Sequence, residues 1–154
     1  MKVGVISDTH NFFDPKIPSL FAGVDHILHG GDIGNPIIIA QLQEIAPVTA
    51  VKGNTDDPIF RYLQTRIVEL EDTKFLIHHI VSPHALEASL AEQIKTEQPD
   101  LVVFGHTHKP FWEIINGITF FNPGYAGKSR FGMERTLAIL ERKQDGIKHR
   151  YFPL

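Results

Sequence analysis

The stretch LVVFGHTHKP, residues 101–110, places four consecutive apolar residues before two histidines that are one position apart. A short apolar run of this kind is typical of a strand that is buried on both faces. Side chains two positions apart in an extended chain point the same way, so His106 and His108 can converge on one cleft. The stretch therefore predicts a core strand that positions two imidazoles at its carboxyl end.

Four other apolar runs also end in residue types that bind metals. In chain order these ends supply Asp8 with His10, then Asp32, then Asn54, then His78 followed by His79. Ligands of open α/β sheets bind at the carboxyl ends of the strands, so we expect these side chains to share one cleft. Glycines stand just before them, where a missing side chain lets the backbone turn sharply or approach closely; they are Gly30, Gly31, Gly53 and Gly105.

Apolar runs of strand length alternate with helix-like segments along the chain, which favours an α/β fold. Helix starts are predicted at residues 35–36 and 82–83, where a polar N-cap precedes proline, and Leu86, Leu90 and Ile94 form one apolar helix face. Hairpin turns are predicted at 116–117 and 145–146. The ten predicted strands are 2–7, 26–29, 48–51, 66–71, 74–78, 101–104, 111–115, 118–122, 135–141 and 147–152.

The composition is that of an ordinary globular protein, with 154 residues, 42% of them hydrophobic and 21% charged. We expect residues 1–154 to form a single domain. The formal charge of −3 gives no support to a basic nucleic-acid-binding surface, so nucleic acid is considered only as a substrate. No run approaches the ~20 apolar residues of a membrane span, and we expect a cytoplasmic protein.

The chain contains no cysteine, which excludes disulfides, zinc-thiolate sites and thiol nucleophiles. Any metal must therefore be held by oxygen and imidazole nitrogen. Burying two carboxylates and four imidazoles together is costly without a compensating partner, and a pair of divalent cations is such a partner. The sequence does not determine the oligomeric state, and a homo-oligomer is possible.

Five motifs in this order resemble the calcineurin-like metallophosphoesterases, and more closely the small bacterial and archaeal phosphodiesterases of the YfcE type. They are DTH at 8–10, GD at 31–32, GNTD at 53–56, FLIH at 75–78 and GHTHKP at 105–110. The resemblance spans residues 1–125. It implies a four-layer α/β/β/α sandwich of two mixed sheets flanked by helices, the metallo-dependent phosphatase fold, with a two-metal centre.

The resemblance also implies which residues bind each metal. One metal takes Asp8, His10 and His108, the other takes Asn54, His78 and His106, and Asp32 bridges the two. Manganese is expected first, although oxygen and imidazole ligands are compatible with Fe, Co, Ni or Zn. The expected reaction is hydrolysis of a phosphodiester by a hydroxide that bridges the metals. The alternatives are a phosphomonoesterase using the same site and a non-catalytic protein-binding scaffold of the same fold.

The sequence departs from the family pattern at three positions. Thr55 stands where many members have a histidine thought to assist the leaving group, and a hydroxyl is a poor acid at neutral pH. His79, where a glycine is usual, is the candidate donor, or alternatively a supporting or surface imidazole, or the ligand in place of His78. Asn54 and His79 are thus the candidate catalytic residues. Tyr125 replaces a serine in the family's NPGS loop, while Lys109, Lys128 and Arg130 are candidates to meet a phosphate.

Overall fold

A computed structural model describes all 154 residues and contains ten strands and three α-helices. The strands are β1 (Lys2–Ile6), β2 (His26–His29), β3 (Val48–Ala50), β4 (Thr65–Leu70), β5 (Thr73–His78), β6 (Leu101–Val103), β7 (Pro110–Ile115), β8 (Ile118–Pro123), β9 (Thr136–Lys143) and β10 (Gly146–Pro153). The helices are α1 (Ile17–Leu20), α2 (Ile37–Gln43) and α3 (Ala88–Glu97), and a 3₁₀ turn covers Pro58–Phe60.

The strands form two five-stranded mixed sheets. The first has the order β10-β9-β1-β2-β3, and β1, β2 and β3 run parallel. The second has the order β4-β5-β6-β8-β7, and β5, β6 and β8 run parallel. Each sheet therefore brings the carboxyl ends of three parallel strands to one edge, where ligands bind in folds of this kind.

Alternation of side chains along each strand divides the apolar residues between an inner and an outer face. The inner faces of the two sheets share one core cluster, which includes Val3 and Val5 from β1 and Phe75 and Ile77 from β5. On the outer faces, α1 and α2 cover the first sheet and α3 covers the second. The predicted four-layer α/β/β/α sandwich is thus confirmed.

All ten predicted strands are present, with ends shifted by at most two residues. Both predicted hairpins form, between β7 and β8 and between β9 and β10, and Asn116, Gly117 and Gly146 adopt positive φ there. The first predicted helix also forms, with the Asn35 side chain accepting a hydrogen bond from the Ile37 N–H. The short α1 was not predicted.

The predicted helix start at Ser82–Pro83 is wrong. These residues enter a turn in which the Ala85 N–H donates to the Ser82 carbonyl. The helix begins at Ala88, where the Glu87 carboxylate accepts from the Ser89 N–H and supplies the N-cap. Leu90 and Ile94 are nevertheless buried against the second sheet, as the predicted apolar face requires. None of the three helices combines the length and the apolarity that crossing a membrane would need.

Candidate metal centre

The carboxyl ends of five parallel strands, three from the first sheet and two from the second, meet at one edge of the sandwich. Two groups of potential metal ligands lie there: Asp8, His10 and His108 in the first cluster, and Asp32, His79 and His106 in the second. Within each cluster the donor atoms lie within 4.8 Å of one another. The structure therefore brings together potential metal ligands that are separated by up to about a hundred positions in the sequence.

The first cluster is built on a buried carboxylate. Asp8 Oδ1 lies 3.1 Å from His108 Nε2 and 3.8 Å from His10 Nε2. Its other oxygen, Oδ2, accepts hydrogen bonds from Ser7 Oγ at 2.5 Å and from the His106 N–H at 3.2 Å. One carboxylate oxygen is thus fixed by the protein, which aims the other at the two imidazoles.

The second cluster surrounds the amide oxygen of Asn54. This Oδ1 atom lies 3.0 Å from His79 Nε2 and 3.0 Å from His106 Nδ1. His79 Nε2 is also 3.2 Å from Asp32 Oδ2. Oxygen from an amide, oxygen from a carboxylate and imidazole nitrogen therefore face one small space.

Asp32 connects the two clusters. Its Oδ2 lies 3.2 Å from His79 Nε2 in the second cluster and 3.6 Å from His10 Nε2 in the first. Its Oδ1 accepts a hydrogen bond from the Thr55 N–H at 2.9 Å, which holds the carboxylate in place. A single carboxylate is thus positioned to serve both clusters.

Two buried atoms of the first cluster lack a hydrogen-bond partner, namely Asp8 Oδ1 and His10 Nε2. A buried, unpartnered carboxylate oxygen is costly, and native structures rarely leave such atoms without a compensating group. Both atoms point into the space enclosed by the first cluster, and both are of the types that bind divalent cations. The donor set therefore fits a metal ion at this position.

The ring of His79 supplies the same test for the second cluster. Its Nδ1 lies 2.7 Å from the Gly30 carbonyl, which can only accept, so Nδ1 carries the proton. In the neutral ring Nε2 then presents a lone pair to Asn54 Oδ1 and Asp32 Oδ2, which are acceptors as well. Three converging lone pairs repel one another unless a cation lies between them, so this donor set also fits a metal ion.

The carboxylates of both clusters remain ionised. Burial alone would raise the pKa of Asp8, but the nearby His10 and His108 rings and the Ser7 hydroxyl hold it well below its usual range. For Asp32, burial is again outweighed, here by His79 and the Thr55 N–H, and the pKa falls to about 2. Burial lowers the pKa of His79, but the charges of Asp32 and Asp8 outweigh it and raise that pKa above its usual value.

Five of the clustered residues have a left-handed backbone. Positive φ values between 43° and 67° occur at Asp8, His10, Asp32, His106 and His108. Such conformations cost roughly 1–3 kcal/mol each for residues other than glycine and concentrate at functional sites. The backbone strain at these five positions therefore supports a functional role for the two clusters.

Two glycines are required by close packing at the clusters. A Cβ atom at Gly53 would collide with Asp32 Oδ1, and one at Gly105 would collide with Ser7 Oγ and lie 2.5 Å from Asp8 Oδ2. Any side chain at either position would displace a carboxylate of the site. The prediction that these glycines permit close approach is confirmed.

His78 lies outside both clusters, contrary to the expected ligand set. Its Nδ1 forms a 2.8 Å hydrogen bond with Thr65 Oγ1, the residue opposite it on β4. Within β5, Phe75 and Ile77 face the core between the sheets, so His78 shares the outer face with Leu76. His79, one position later, returns to the inner side, where the side chains of both clusters meet.

Three further residues support the clusters: Asp56 and His29, which were not recognised from the sequence, and Tyr125, which was noted there only as a departure from the family's loop. Asp56 accepts hydrogen bonds from the Gly34 and Gly53 N–H groups and so joins the loops that carry Asp32 and Asn54. His29 lies fully buried beneath the clusters. The Tyr125 ring lies with its centroid 4.7 Å from that of His108 and 6.2 Å from that of His10. The position of Asp56 in the GNTD motif could have identified it as a residue of the site.

The remaining histidines do not approach the clusters. His26 Nε2 lies 2.8 Å from Thr49 Oγ1, and His84 pairs with Glu113 at the surface. His149 stacks on Trp112 with the ring centroids 4.1 Å apart. None of these three histidines belongs to either cluster.

Two cavities flank the clusters. A cavity of about 720 Å³ opens beside His108; its lining residues are Thr107, His108, Lys109, Pro110, Phe131, Gly132, Met133, Glu134 and Tyr151. A smaller cavity of about 260 Å³ opens beside Asn54 and His79. The two cavities share no lining residue and therefore offer separate spaces on either side of the ligand clusters.

Comparison with known proteins identifies the family to which the chain belongs. A model of the calcineurin-like phosphoesterase superfamily domain matches residues 1–145. A probable metallophosphoesterase of Methanocaldococcus jannaschii is 37% identical over 131 residues, covering 80% of this chain and 67% of that protein. Phosphodiesterase YfcE of Escherichia coli K12 is 30% identical over 168 aligned residues, covering 92% of this chain and 88% of that protein.

Two solved structures are similar over their whole length. One, of a novel archaeal phosphodiesterase, has a TM-score of 0.77 and 25% identity, with 100% of both chains covered. The other, wild-type Vps29 from Entamoeba histolytica complexed with zinc, has a TM-score of 0.74 and 22% identity, with 99% of both chains covered. The likeness to Vps29 concerns the fold alone.

Proposed function

Because the chain belongs to the calcineurin-like phosphoesterase superfamily, it is a metal-dependent phosphoesterase, and we propose that it hydrolyses phosphodiesters at a two-metal centre. The observation that carries this proposal is the position of the Asp32 carboxylate, which faces a histidine from each ligand cluster. A single-metal site would not need a carboxylate placed between two clusters.

The geometry supports one change to the ligand set expected from the sequence. We assign Asp8, His10 and His108 to one cation, Asn54, His79 and His106 to the other, and Asp32 to both. His79 replaces His78, which is bonded to Thr65 on the outer face of the sheet. This assignment also removes His79 as the candidate proton donor, because its Nδ1 proton is already donated to the Gly30 carbonyl.

Divalent cations bound here would polarise phosphoryl oxygens and lower the pKa of a shared water molecule. The rigid strands of this protein hold the donor side chains at their carboxyl ends. Two cations bring four positive charges, and Asp8 and Asp32 bring two negative ones, so the loaded site attracts an anion. No side chain of the protein is needed as a nucleophile.

A diester is favoured over a monoester by the two flanking cavities. The phosphorus of a diester carries two organic groups, and a cavity lies on each side of the clusters to receive them. A diester also has one negative charge, which suits a site in which no arginine approaches the ligand clusters within hydrogen-bond distance. The named relatives that are phosphodiesterases support the same preference.

A non-catalytic scaffold of this fold would not need the strained backbone and unpartnered atoms of the ligand clusters. We therefore favour the enzyme, acting as a single domain. Manganese is the first metal to test, followed by Fe, Co, Ni and Zn, because the donor set accepts all of them.

The test is hydrolysis of bis(p-nitrophenyl) phosphate and p-nitrophenyl phosphate by the purified protein. We expect activity with Mn²⁺, loss of activity with a chelator, and a higher kcat/KM for the diester. The Asp8→Asn variant should be inactive, whereas Asp145→Asn in the exposed β9–β10 turn should match the wild type. Folded, metal-loaded protein that hydrolyses neither ester would contradict the proposal, and a preference for the monoester would favour the phosphomonoesterase.

A further inference from the structure

The large cavity beside His108 has an unbalanced set of charges around it. Lys109 and Glu134 lie in its lining, and Lys128 and Arg130 lie in the loop that also supplies Phe131 and its neighbours to the wall. Glu134 is the one carboxylate in this lining, against three cationic residues in and next to it. Glu134, Lys109, Lys128 and Arg130 all lack an ion-pair partner within 4.0 Å. This side of the site therefore has a net positive charge.

Arg130 is held close to the metal centre by an aromatic contact. Its guanidinium carbon lies 5.3 Å from the centre of the Tyr125 ring. A guanidinium at this distance from an aromatic face is attracted by the ring, which restricts a side chain that would otherwise be mobile. The same ring lies against His108 and near His10, so Arg130 packs on a residue, Tyr125, that borders the first ligand cluster.

The loop that carries Arg130 is anchored at the site. The buried Tyr125 hydroxyl donates a 3.0 Å hydrogen bond to the Lys128 carbonyl, which folds residues 125–128 back over the ring. Arg135 donates to the Gly127 carbonyl and forms an ion pair with Asp14 at 2.8 Å. These contacts fix both ends of the loop that carries Arg130, and residues 131–134 of the same loop line the cavity.

We propose that Arg130, with Lys109, forms an anion-binding subsite for the organic group of the substrate that occupies the large cavity. The scissile phosphate lies at the metals under the proposed function, so the anion met by Arg130 is a second one. The substrate class is then a phosphodiester in which one of the two esterified groups carries a further phosphate. The exposed Phe131 and the adjacent Met133 offer apolar surface to the organic part of that group.

The proposal is tested by isothermal titration calorimetry of the Mn²⁺-loaded protein with two nucleotides, thymidine 5′-phosphate and thymidine 3′,5′-bisphosphate. The subsite predicts that the bisphosphate binds about tenfold more tightly, because one added charge-assisted hydrogen-bonded pair has that effect. In the Arg130→Gln variant the ratio of the two affinities should fall to near one. Arg130→Lys keeps the charge and should keep part of the preference.

Arg150 provides a matched control. Its guanidinium carbon lies 4.9 Å from the centre of the Phe152 ring, and the pair lines a different cavity, with Lys2 and Val24. The Arg150→Gln variant removes the same charge from the protein, but it should retain the tenfold preference for the bisphosphate. Loss of the preference in both variants would indicate a general charge effect and overturn the assignment to Arg130.

Equal binding of the two nucleotides by the wild type, weak binding of both, or an unchanged preference in Arg130→Gln would also overturn the proposal. Hydrolysis assays test the proposed function separately from the subsite. They compare the rate of hydrolysis of the p-nitrophenyl ester of thymidine 5′-phosphate with that of the same ester carrying a 3′-phosphate. Calorimetry requires no turnover, so inactive protein that still prefers the bisphosphate would contradict the phosphodiesterase alone. Active protein without the preference would contradict the subsite alone.

Discussion

Asp32 Oδ2 lies 3.2 Å from His79 Nε2, and the amide oxygen of Asn54 lies 3.0 Å from the same nitrogen. The His79 proton is on the opposite nitrogen, where it is donated to the Gly30 carbonyl. Two acceptors at this separation require a cation between them, whether a proton or a metal ion. The charges of Asp32 and Asp8 outweigh the effect of burial and raise the pKa of His79. The raised pKa shows that this position favours a positive charge.

Replacement of Asp32 by asparagine should affect both metal positions. The carboxylate faces a histidine of each cluster, and an amide in its place has less charge and one less acceptor oxygen. We expect less than two equivalents of metal by elemental analysis and a fall in kcat/KM of about a hundredfold or more. Two full equivalents in this variant would show that Asp32 does not bridge.

The adjacent histidines His78 and His79 offer a matched pair of variants. His79→Ala should lose metal from the second cluster and lower kcat/KM by about a hundredfold. His78→Ala removes a hydrogen bond to Thr65 and part of the wall of the smaller cavity, so it should change metal content little and stability by about 1 kcal/mol. Metal titration followed by assay of both variants decides between them, and loss of metal in His78→Ala alone would restore the ligand set expected from the sequence.

Asn54→Ala should weaken one metal position and spare the other. The Asn54 oxygen faces only His79 and His106, and the first cluster has no contact with it. We expect the affinity of the second position to fall about 10- to 100-fold, so that dialysed protein keeps about one equivalent. Gln93→Ala on the exposed side of α3 is the control for the loss of an exposed amide. Loss of both equivalents from Asn54→Ala would indicate that the two positions fill only together.

The strands and the site edge were predictable because they depend on local patterns. Apolar runs in a chain of this size must be buried, and the residues that follow parallel strands share one edge of a sheet. The choice between His78 and His79 was not predictable from the run FLIH, because both faces of β5 are covered. Phe75 and Ile77 face the other sheet and Leu76 faces α3, so no polar alternation marks the inner side.

Two further features depend on interactions that a local pattern does not contain. The start of α3 was misplaced because Ser82–Pro83 and Glu87–Ser89 both offer a cap, and the structure uses the second. The left-handed backbone at clustered residues such as Asp8 and His108 arises where tertiary contacts outweigh the preference of the residue. Because these positions do not carry glycine, the sequence does not indicate that their backbone is left-handed.

The last prediction concerns His29, which is buried under the first cluster. Its Nδ1 accepts a hydrogen bond from the Gly31 N–H, so Nε2 carries the proton and donates to Thr9 Oγ1, which donates in turn to the Ile33 carbonyl. Burial lowers the pKa of His29 from 6.5 to about 4, although the charges of Asp8 and Asp56 oppose the change. The neutral ring therefore belongs to the folded state.

The sign of the pH dependence follows from this pKa. Between about pH 6.5 and pH 4 the unfolded chain binds a proton at position 29 that the folded chain does not bind, so the free energy of unfolding decreases as the pH falls. We expect His29 to contribute a loss of about 2 kcal/mol between pH 7.5 and pH 5. Urea unfolding with a chelator present measures this loss without the separate pH dependence of metal binding. His29→Gln removes the titrating ring, so its stability should change less over the same interval, whatever its stability at neutral pH. Equal pH slopes in the two proteins would mean that the His29 ring is protonated within the fold.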